Sequence, residues 1–250
     1  MRGYVLNLER RPDRKRQFLD WNGGHGIEFT FVPAVEGRTL EPDTLVQDRL
    51  LTSLPHHYPS GAIGNALSHR GLWQACAAST QPMLIFEDDA CLRTDFVRTA
   101  QAALDTAAGD WDLFFFGYNT DAAIAVITPE ALFGVIVFDD HAKRNPGYFA
   151  KFASAPANPQ APYVFNTMRA WGTLGYMVTP SGAARLLDSC FPLSSEDAIL
   201  LHVEQRTVPP KALDGMINLA LQKGLVTAKC CFPPIVTGPN DDSDVTPPGV

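Results

Sequence analysis

Hydrophobic and polar positions in the first 35 residues follow two periods, which together predict a strand, a helix and a second strand. Residues 4–8 form a short apolar run with strand character. Pro12 suits the first turn of a helix that extends to about Trp21, where the glycine-rich segment 22–26 ends it. Apolar residues then recur at positions 27, 29 and 31, as in a half-buried strand. This strand–helix–strand order is typical of an α/β fold.

Later apolar runs and helical spacings predict further strands and helices. Strands are predicted at residues 82–86, 111–116 and 174–178, and the first two are apolar enough to be buried on both faces. Helices are predicted at residues 61–79, 94–104, 181–187 and 214–222, with Ser60-Gly61 and Thr94 as caps of the first two. Residues 36–60 and 120–170 have no clean period, and we interpret them as a surface excursion and an irregular segment.

The domain organisation predicted by this pattern is simple. No internal repeat and no linker divides the chain, so we expect a single domain over residues 1–238. Residues 239–250 are acidic and rich in proline, and we expect them to form a flexible tail.

Composition and charge exclude several classes of partner. The chain has 250 residues with 46% hydrophobic positions, which suits a globular protein, and 20 Lys and Arg against 27 Asp and Glu give a net charge of −7. This balance argues against general binding of nucleic acid or of anionic membranes. Five cysteines without zinc spacing indicate free thiols in a reducing compartment. No apolar run suits a signal peptide or a membrane span, so we expect a cytoplasmic protein.

Three consecutive carboxylates, Glu87-Asp88-Asp89, follow the predicted strand at 82–86 directly. In open α/β sheets, ligands bind outside the carboxyl ends of the strands. Three like charges at that place are costly unless a cation compensates them, and such oxygen ligands suit Mg²⁺ or Mn²⁺. The pattern therefore favours a metal site, with a solvated acidic turn as the alternative.

Three other features each have a structural and a functional interpretation. Arg10, Arg11 and Arg14 follow the first strand, where guanidinium groups either meet phosphate or form a solvated helix start. His69 lies on the helix before the acidic strand and serves either packing or ligand binding. Asp214 opens the last predicted helix, either as a cap or as a group that faces the cleft.

Several segments, taken in order, carry a resemblance to a known family. They are residues 5–14, 31–37, 61–73, 86–89, 171–176, 181–183 and 213–214. Together they resemble glycosyltransferase family 25, which includes bacterial lipooligosaccharide galactosyltransferases and the collagen galactosyltransferase domain. The resemblance spans about residues 1–120 and 168–236. Its most specific part is the combination of Ser68-His69 with Glu87-Asp88-Asp89.

The resemblance implies a fold, an activity and a set of partners. The fold would be GT-A, a Rossmann-like nucleotide-sugar-binding fold. The activity would be the transfer of a hexose, most often galactose, from a UDP-sugar to a glycan or other hydroxyl acceptor with inversion at the anomeric carbon. Lipopolysaccharide biosynthesis is the process that the bacterial members imply.

The resemblance also implies roles for individual residues. Asp89 would bind the Mn²⁺ or Mg²⁺ that bridges the diphosphate, while Glu87 and Asp88 would hold the ribose or the sugar. The rest of the nucleotide-sugar site would consist of Asn7, Arg11, Arg14, His69 and Thr173. Asp214 would be the general base that deprotonates the acceptor hydroxyl, with Glu196 and Asp197 as the next candidates.

The sequence departs from the family pattern at three places. One is the C-terminus, which has no basic tail of the kind that several membrane-acting members carry, and this argues against a lipid-linked acceptor. Asn65 stands where the family often has cysteine, and the sequence predicts little consequence of this change. The chain between Leu187 and Asp214 is longer than the resemblance leads us to expect, which weakens the match at Asp214.

Two other functions remain to be separated from a transferase. A haloacid-dehalogenase-like phosphotransferase also places aspartates after a strand, but Glu87 stands where that class needs its nucleophilic Asp. A non-catalytic nucleotide-sugar-binding protein of the same fold is the second alternative. Release of sugar from a UDP-sugar in the presence of Mn²⁺ would distinguish an enzyme from a binding protein.

Overall fold

A computed structural model describes residues 1–52, 58–155 and 162–239. Within these ranges the strands are β1 (Arg2–Asn7), β2 (Glu28–Pro33), β3 (Met83–Glu87), β4 (Cys91–Leu92), β5 (Leu113–Gly117), β6 (Ile124–Ile127), β7 (Phe133–Ile136), β8 (Tyr163–Arg169), β9 (Gly175–Val178), β10 (Ile199–Leu201), β11 (Arg206–Val208), β12 (Ala228–Phe232) and β13 (Val236–Thr237). The helices are α1 (Pro12–Asn22), α2 (Pro42–Gln47), α3 (Ser60–Ala77), α4 (Phe96–Thr106), α5 (Tyr148–Ala153), α6 (Pro180–Cys190) and α7 (Leu213–Gln222).

One mixed sheet organises the molecule, with the strand order β2-β1-β3-β9-β5-β12-β8-β6-β7. β2, β1 and β3 are parallel neighbours, and β9 is inserted antiparallel between β3 and β5. β5 and β12 are again parallel. The small hairpin β10–β11 forms a separate sheet. The predicted α/β class is confirmed, and the parallel strands with crossover helices are consistent with a Rossmann-like nucleotide-binding fold.

Helices cover both faces of the sheet, which explains why β3 and β5 contain so few polar residues. Leu84 and Phe86 contact one hydrophobic layer together with Phe18 of α1 and Phe96 of α4. Ile85, which points the other way, belongs to the second layer, beneath α3, α6 and α7. A strand that is buried on both faces gains from apolar residues at every position.

The parallel arrangement brings two loops to the same edge of the sheet. In the pairing of β1 with β3, Leu6 lies opposite Glu87. The chain after β1 and the carboxylates at the end of β3 therefore leave the sheet side by side. Gly175, the first residue of β9, lies opposite Phe86, so the loop that precedes β9 reaches the same place. This convergence positions the candidate site.

The prediction of an irregular segment over residues 120–170 is wrong. This part of the chain contains β6, β7, α5 and β8. β6 and β7 are four residues each and lie at the end of the sheet, so their alternation is too brief to detect. β8 is held by β12, whose residues come more than 60 positions later, and β12 was not predicted either. The 36–60 excursion likewise contains the short helix α2.

Two predicted helix caps are wrong, and the alternative of Asp214 as a cap is excluded, although the helices themselves are confirmed. The cap position of α3 is Pro59 rather than Ser60, and that of α4 is Asp95 rather than Thr94. The Thr94 hydroxyl instead donates to the carbonyl of Ala153. The cap position of α7 is Ala212, so Asp214 lies inside the first turn. Thr94 and Asp214 make tertiary hydrogen bonds instead, with Ala153 and Gly172, and local sequence does not specify such contacts.

Two expectations concern chain organisation and location. All but the first residue of the predicted tail at 239–250 lie outside the described residues. Within the described ranges, no helix combines the length and the apolar character that crossing a bilayer requires.

Two glycines of α3 provide a matched test of how tightly this helix packs on the loop after β2. A Cβ on Gly64 would lie 2.6 Å from the carbonyl oxygen of Val35 and 2.7 Å from the amide nitrogen of Gly37, whereas a Cβ on Gly71 would meet nothing within 4 Å. We expect Gly64→Ala to destabilise the fold by roughly 2 kcal/mol or more, because backbone would have to move. Gly71→Ala should stabilise it by about 0.5–1 kcal/mol. Urea unfolding of both variants measures the difference, and equal effects would contradict the close packing.

Candidate functional site

A cleft opens at the sheet edge where β1 and β3 end. Its walls come from the chain after β1, the loop at 34–38 after β2, the first turns of α3 and the carboxylates 87–89. Arg10, Arg14 and Arg38 line the cleft. Ser68 of α3 fastens the loop after β2, since its hydroxyl accepts from the amide of Val35 at 2.8 Å. The cleft therefore combines three arginines, two of them paired with Glu36 of the same wall, with an acidic floor.

Asp88 is held from the β1 side of the cleft. Asn7 donates to its Oδ2 at 2.7 Å, and Arg14 donates to its Oδ1 at 3.1 Å. The Asn7 amide also donates to the carbonyl of Arg11 at 3.2 Å, which fixes the turn into α1. Asp88 is buried, and both of its carboxylate oxygens accept hydrogen bonds. Its side chain thus joins β3 to the start of α1.

Glu87 is held from the opposite side, and by one oxygen only. Its Oε1 accepts from Asn65 Nδ2 at 3.1 Å, from His69 Nε2 at 3.2 Å and from the hydroxyl of Thr173. Burial would raise the pKa of Glu87, but the hydrogen bond from His69, the positive charge that a protonated His69 would carry, and the hydrogen bonds from Thr173 and Asn65 together hold the pKa below its ordinary value. No described residue donates a hydrogen bond to Oε2. Glu87 therefore stays ionised and lines the cleft.

Behind Glu87, the side chain of His69 is fully buried and contacts a second buried group. Its Nδ1 lies 2.8 Å from the hydroxyl oxygen of Tyr176, and the indole nitrogen of Trp73 donates to the same oxygen at 2.8 Å. Asn65, His69 and Trp73 are spaced four residues apart on α3, so they lie on one face of the helix. His69 does not line the cleft, and its contact with a lining residue is the one with Glu87.

Asp89 differs from its two neighbours because one of its oxygens has no partner. Oδ1 is buried and accepts no hydrogen bond from the described part of the chain. Burial and the nearby charge of Glu87 raise the pKa of Asp89 to about 7. A divalent cation would satisfy this oxygen and offset the charge, so the residue fits a metal ligand. No group of three or more His, Cys, Asp or Glu side chains arranged for a metal occurs among the described residues.

Asp214 lies in the first turn of α7 and supports the loop that precedes β9. Its Oδ2 accepts from the amide of Gly172 at 2.8 Å, and its Oδ1 accepts from the amide of Gly215 at 2.7 Å. Burial raises the pKa of Asp214, and the charge of Glu87 adds to the effect. Thr173, which follows Gly172, donates to Glu87. The loop at 172–173 therefore links Asp214 to Glu87.

The structure brings most of the predicted site residues together. Arg14, Glu87, Asp88 and Asp89 line the cleft, and Asn7 reaches it through Asp88. His69 and Thr173 contact Glu87 from outside this lining, and the half-buried Asp214 is linked to Glu87 through the loop at 172–173. Arg11 instead forms an ion pair with Asp13 at 2.9 Å and does not line the cleft. The next candidates for a base lie apart from these residues: Glu196 is exposed, and Asp197 pairs with Lys223.

Three contributors to the site were not predicted from the sequence: Asn65, Trp73 and Tyr176. The signal was present in the four-residue spacing of Asn65, His69 and Trp73 on α3. Asn65, where little consequence was predicted, donates directly to Glu87. Only the pairing of β3 with β9 brings Tyr176 to this helix face, so its role could not be predicted from local sequence.

Comparison with known proteins places the chain in a family. The family model described as glycosyltransferase family 25 (LPS biosynthesis protein) matches residues 1–200. A glycosyltransferase 25 family member of Aedes aegypti is 38% identical over 46% of this chain and 20% of its own length.

Two vertebrate relatives differ in what their names state. Procollagen galactosyltransferase 1-A of Xenopus laevis is 31% identical over 46% of this chain and 20% of its own length. Inactive glycosyltransferase 25 family member 3 of Mus musculus is 28% identical over 54% of this chain and 24% of its own length. The chain thus matches about a fifth to a quarter of each of these longer relatives. Because the family model covers four-fifths of its residues, the chain belongs to glycosyltransferase family 25.

Proposed function

We propose that this protein is a metal-dependent, inverting glycosyltransferase of GT-A architecture that transfers a hexose from a UDP-sugar. We further propose galactose as the hexose, in line with the name of the Xenopus relative. The observation that carries the proposal is the buried, unpartnered Oδ1 of Asp89 at the end of β3, beside a cleft lined by arginines. Membership of glycosyltransferase family 25 supports a glycosyltransferase activity.

The charges of the cleft support a nucleoside diphosphate as the donor. Arg10, Arg14 and Arg38 line it, and guanidinium groups match the geometry of phosphate oxygens. Family membership and a Rossmann-like sheet edge add the expectation of a nucleotide. We assign the nucleotide to the side of β1 and β2, where these arginines lie.

Glu87 and Asp88 then have different ends of the donor to bind. Asp88 is bound to Asn7 and Arg14, on the nucleotide side. Glu87 and Asp214 both accept hydrogen bonds from the loop at 172–173, on the side opposite the nucleotide. We therefore assign Asp88 to the nucleotide end and Glu87 to the hydroxyl groups of the transferred sugar. A carboxylate held in its ionised form is a strong acceptor for such hydroxyls.

Asp89 is the proposed ligand of Mn²⁺ or Mg²⁺, with water and the donor diphosphate as the other ligands. Mg²⁺ in particular is usually held by one or two carboxylates together with substrate phosphates, which suits a site with few protein ligands. When bound, the ion would neutralise the charge that develops on the leaving UDP.

Asp214 is the proposed general base. Each carboxylate oxygen has two lone pairs, so an oxygen that accepts a backbone amide retains capacity for the acceptor hydroxyl. A raised pKa makes Asp214 a better proton acceptor than Glu87, whose pKa is lowered. In an inverting transfer, Asp214 would take the proton as the hydroxyl attacks the anomeric carbon and UDP leaves. The backbone amides of Gly172 and Gly215 would hold the base in place.

The acceptor is proposed to be a glycan or another hydroxyl compound, and a lipopolysaccharide-type glycan agrees with the family description. We expect neither nucleic acid nor a membrane lipid surface as a partner, given a net charge of −7. All five cysteines are unpaired and buried, which supports a reducing compartment such as the cytoplasm.

A panel of UDP-sugars tests the proposal. We expect UDP release with UDP-galactose and Mn²⁺, increased by a glycan acceptor and abolished by EDTA. Mass spectrometry of the product identifies the linkage and its anomeric configuration. The name of the mouse relative favours one other function, a nucleotide-sugar-binding protein without turnover. Tight binding of UDP-galactose by calorimetry, without UDP release for any acceptor in the panel, would decide for that function.

A further inference from the structure

Three hydrogen-bond donors converge on one oxygen of Glu87, and the most deeply buried of them belongs to His69. A neutral imidazole carries its hydrogen on only one of its two nitrogens. Whether His69 can donate to Glu87 therefore depends on what its other nitrogen, Nδ1, contacts. That contact is the hydroxyl of Tyr176 at 2.8 Å.

The indole of Trp73 determines the direction of this contact. An indole nitrogen only donates, so the Tyr176 oxygen accepts from Trp73. Tyr176 is fully buried, and its hydroxyl hydrogen needs an acceptor. Among the described residues, His69 Nδ1 is the only remaining polar atom within hydrogen-bond distance of that hydroxyl. The hydroxyl therefore donates to Nδ1, and the imidazole hydrogen lies on Nε2, which faces Glu87 at 3.2 Å.

An imidazolium at this position would form an ion pair with Glu87, but it would not satisfy the other buried groups. Its Nδ1–H would donate to the Tyr176 oxygen, which already accepts from Trp73. The tyrosine hydrogen would then be buried without an acceptor, which is unfavourable. Burial also raises the pKa of Tyr176 well above its ordinary value, so the hydroxyl remains protonated.

We propose that Trp73 and Tyr176 are positioning residues that hold His69 as the neutral Nε2–H tautomer. His69, Asn65 and Thr173 then all donate to Oε1 of Glu87. This leaves Oε2 available to a hydroxyl of the transferred sugar. The proposal rests on the proposed function for the identity of that ligand, but the tautomer itself does not. Trp73 and Tyr176 do not line the cleft, and we assign them no contact with the substrate.

The tautomer is tested by the ¹⁵N spectrum of His69 in the whole protein, labelled on histidine nitrogens and assigned with His69→Gln. We expect Nε2 to show the shift of a protonated ring nitrogen and Nδ1 that of an unprotonated acceptor. In Tyr176→Phe, Nδ1 loses its donor, and its signal should move. A wild-type spectrum with a protonated Nδ1 would overturn the proposal, with or without any transferase activity.

The consequence for binding is tested with UDP-galactose and UDP as separate probes in calorimetry. His69→Leu, which removes the donor, should weaken UDP-galactose binding roughly 10- to 100-fold and leave UDP binding unchanged. His69→Gln, whose amide can donate in place of Nε2–H, should restore most of the affinity. Tyr176→Phe should cost about 3- to 10-fold for UDP-galactose alone.

Two results would contradict the positioning role. One is an equal loss of UDP and UDP-galactose binding in His69→Leu, which would indicate a general structural defect. The other is a failure of His69→Gln to improve on His69→Leu while both remain folded. Thr173→Val and Thr173→Ser form a second pair, independent of the helix, with the same expected loss and recovery. If the wild type binds no UDP-galactose at all, the proposed function fails and the spectrum still decides the tautomer.

Discussion

Replacing Asp89 by alanine is expected to reduce transfer by at least ~1,000-fold, because the metal that it is proposed to bind would supply several kcal/mol to the departure of UDP. Steady-state UDP release with UDP-galactose and Mn²⁺ measures the loss. Asp20→Ala is the matched control, since Asp20 is an exposed aspartate of α1 outside the cleft. It should retain the wild-type rate.

A thermal measurement separates the metal from the chemistry. Mn²⁺ should raise the melting temperature of the wild type and leave that of Asp89→Ala unchanged, since only a folded-state ligand shifts the unfolding equilibrium. Without metal, a carboxyl whose pKa is raised to about 7 destabilises the fold as pH increases from about 4 to 7. Metal-free Asp89→Asn should therefore lose less stability than the wild type over that range. Mn²⁺ stabilisation that persists in Asp89→Ala would refute the ligand assignment.

Asp214→Asn is expected to lower kcat by at least ~100-fold, as the loss of a general base does. Both oxygens of Asp214 accept backbone amides, so the amide nitrogen of asparagine must face either Gly172 or Gly215. We therefore also expect a loss of about 1–3 kcal/mol in the free energy of unfolding. Binding of UDP, on the other side of the cleft, should remain.

The pH dependence of kcat distinguishes a base from a structural support. A base acts in its ionised form, so kcat should fall as pH decreases through the pKa of Asp214. Burial raises that pKa, which places the fall above the ordinary range of an aspartate. The residual kcat of Asp214→Asn should not show this fall at low pH. Asp197→Asn, in an exposed ion pair with Lys223, serves as the control and should leave the profile intact. If kcat of Asp214→Asn falls at low pH as it does in the wild type, Asp214 is excluded as the base.

The sequence by itself determined the elements whose signal is local. The continuous apolar run before Glu87 predicts a strand that is buried on both faces, and burial on both faces requires apolar side chains at each position. Pro12 and the glycines after Asn22 mark the ends of α1, because each residue type restricts the backbone locally. The three carboxylates at the end of β3 and the resemblance around them likewise needed no structure to be identified.

Only the tertiary structure decided how those carboxylates differ. In the sequence Glu87, Asp88 and Asp89 are three adjacent acids. In the fold, one is held from α3 and the loop before β9, one from β1 and α1, and one keeps a buried oxygen without a partner. Their partners lie up to 86 positions away, and no local pattern specifies contacts at such separations. For the same reason the sequence did not predict β8 and β12, which are direct neighbours in the sheet. Tyr176 likewise contacts His69 only because β9 pairs with β3.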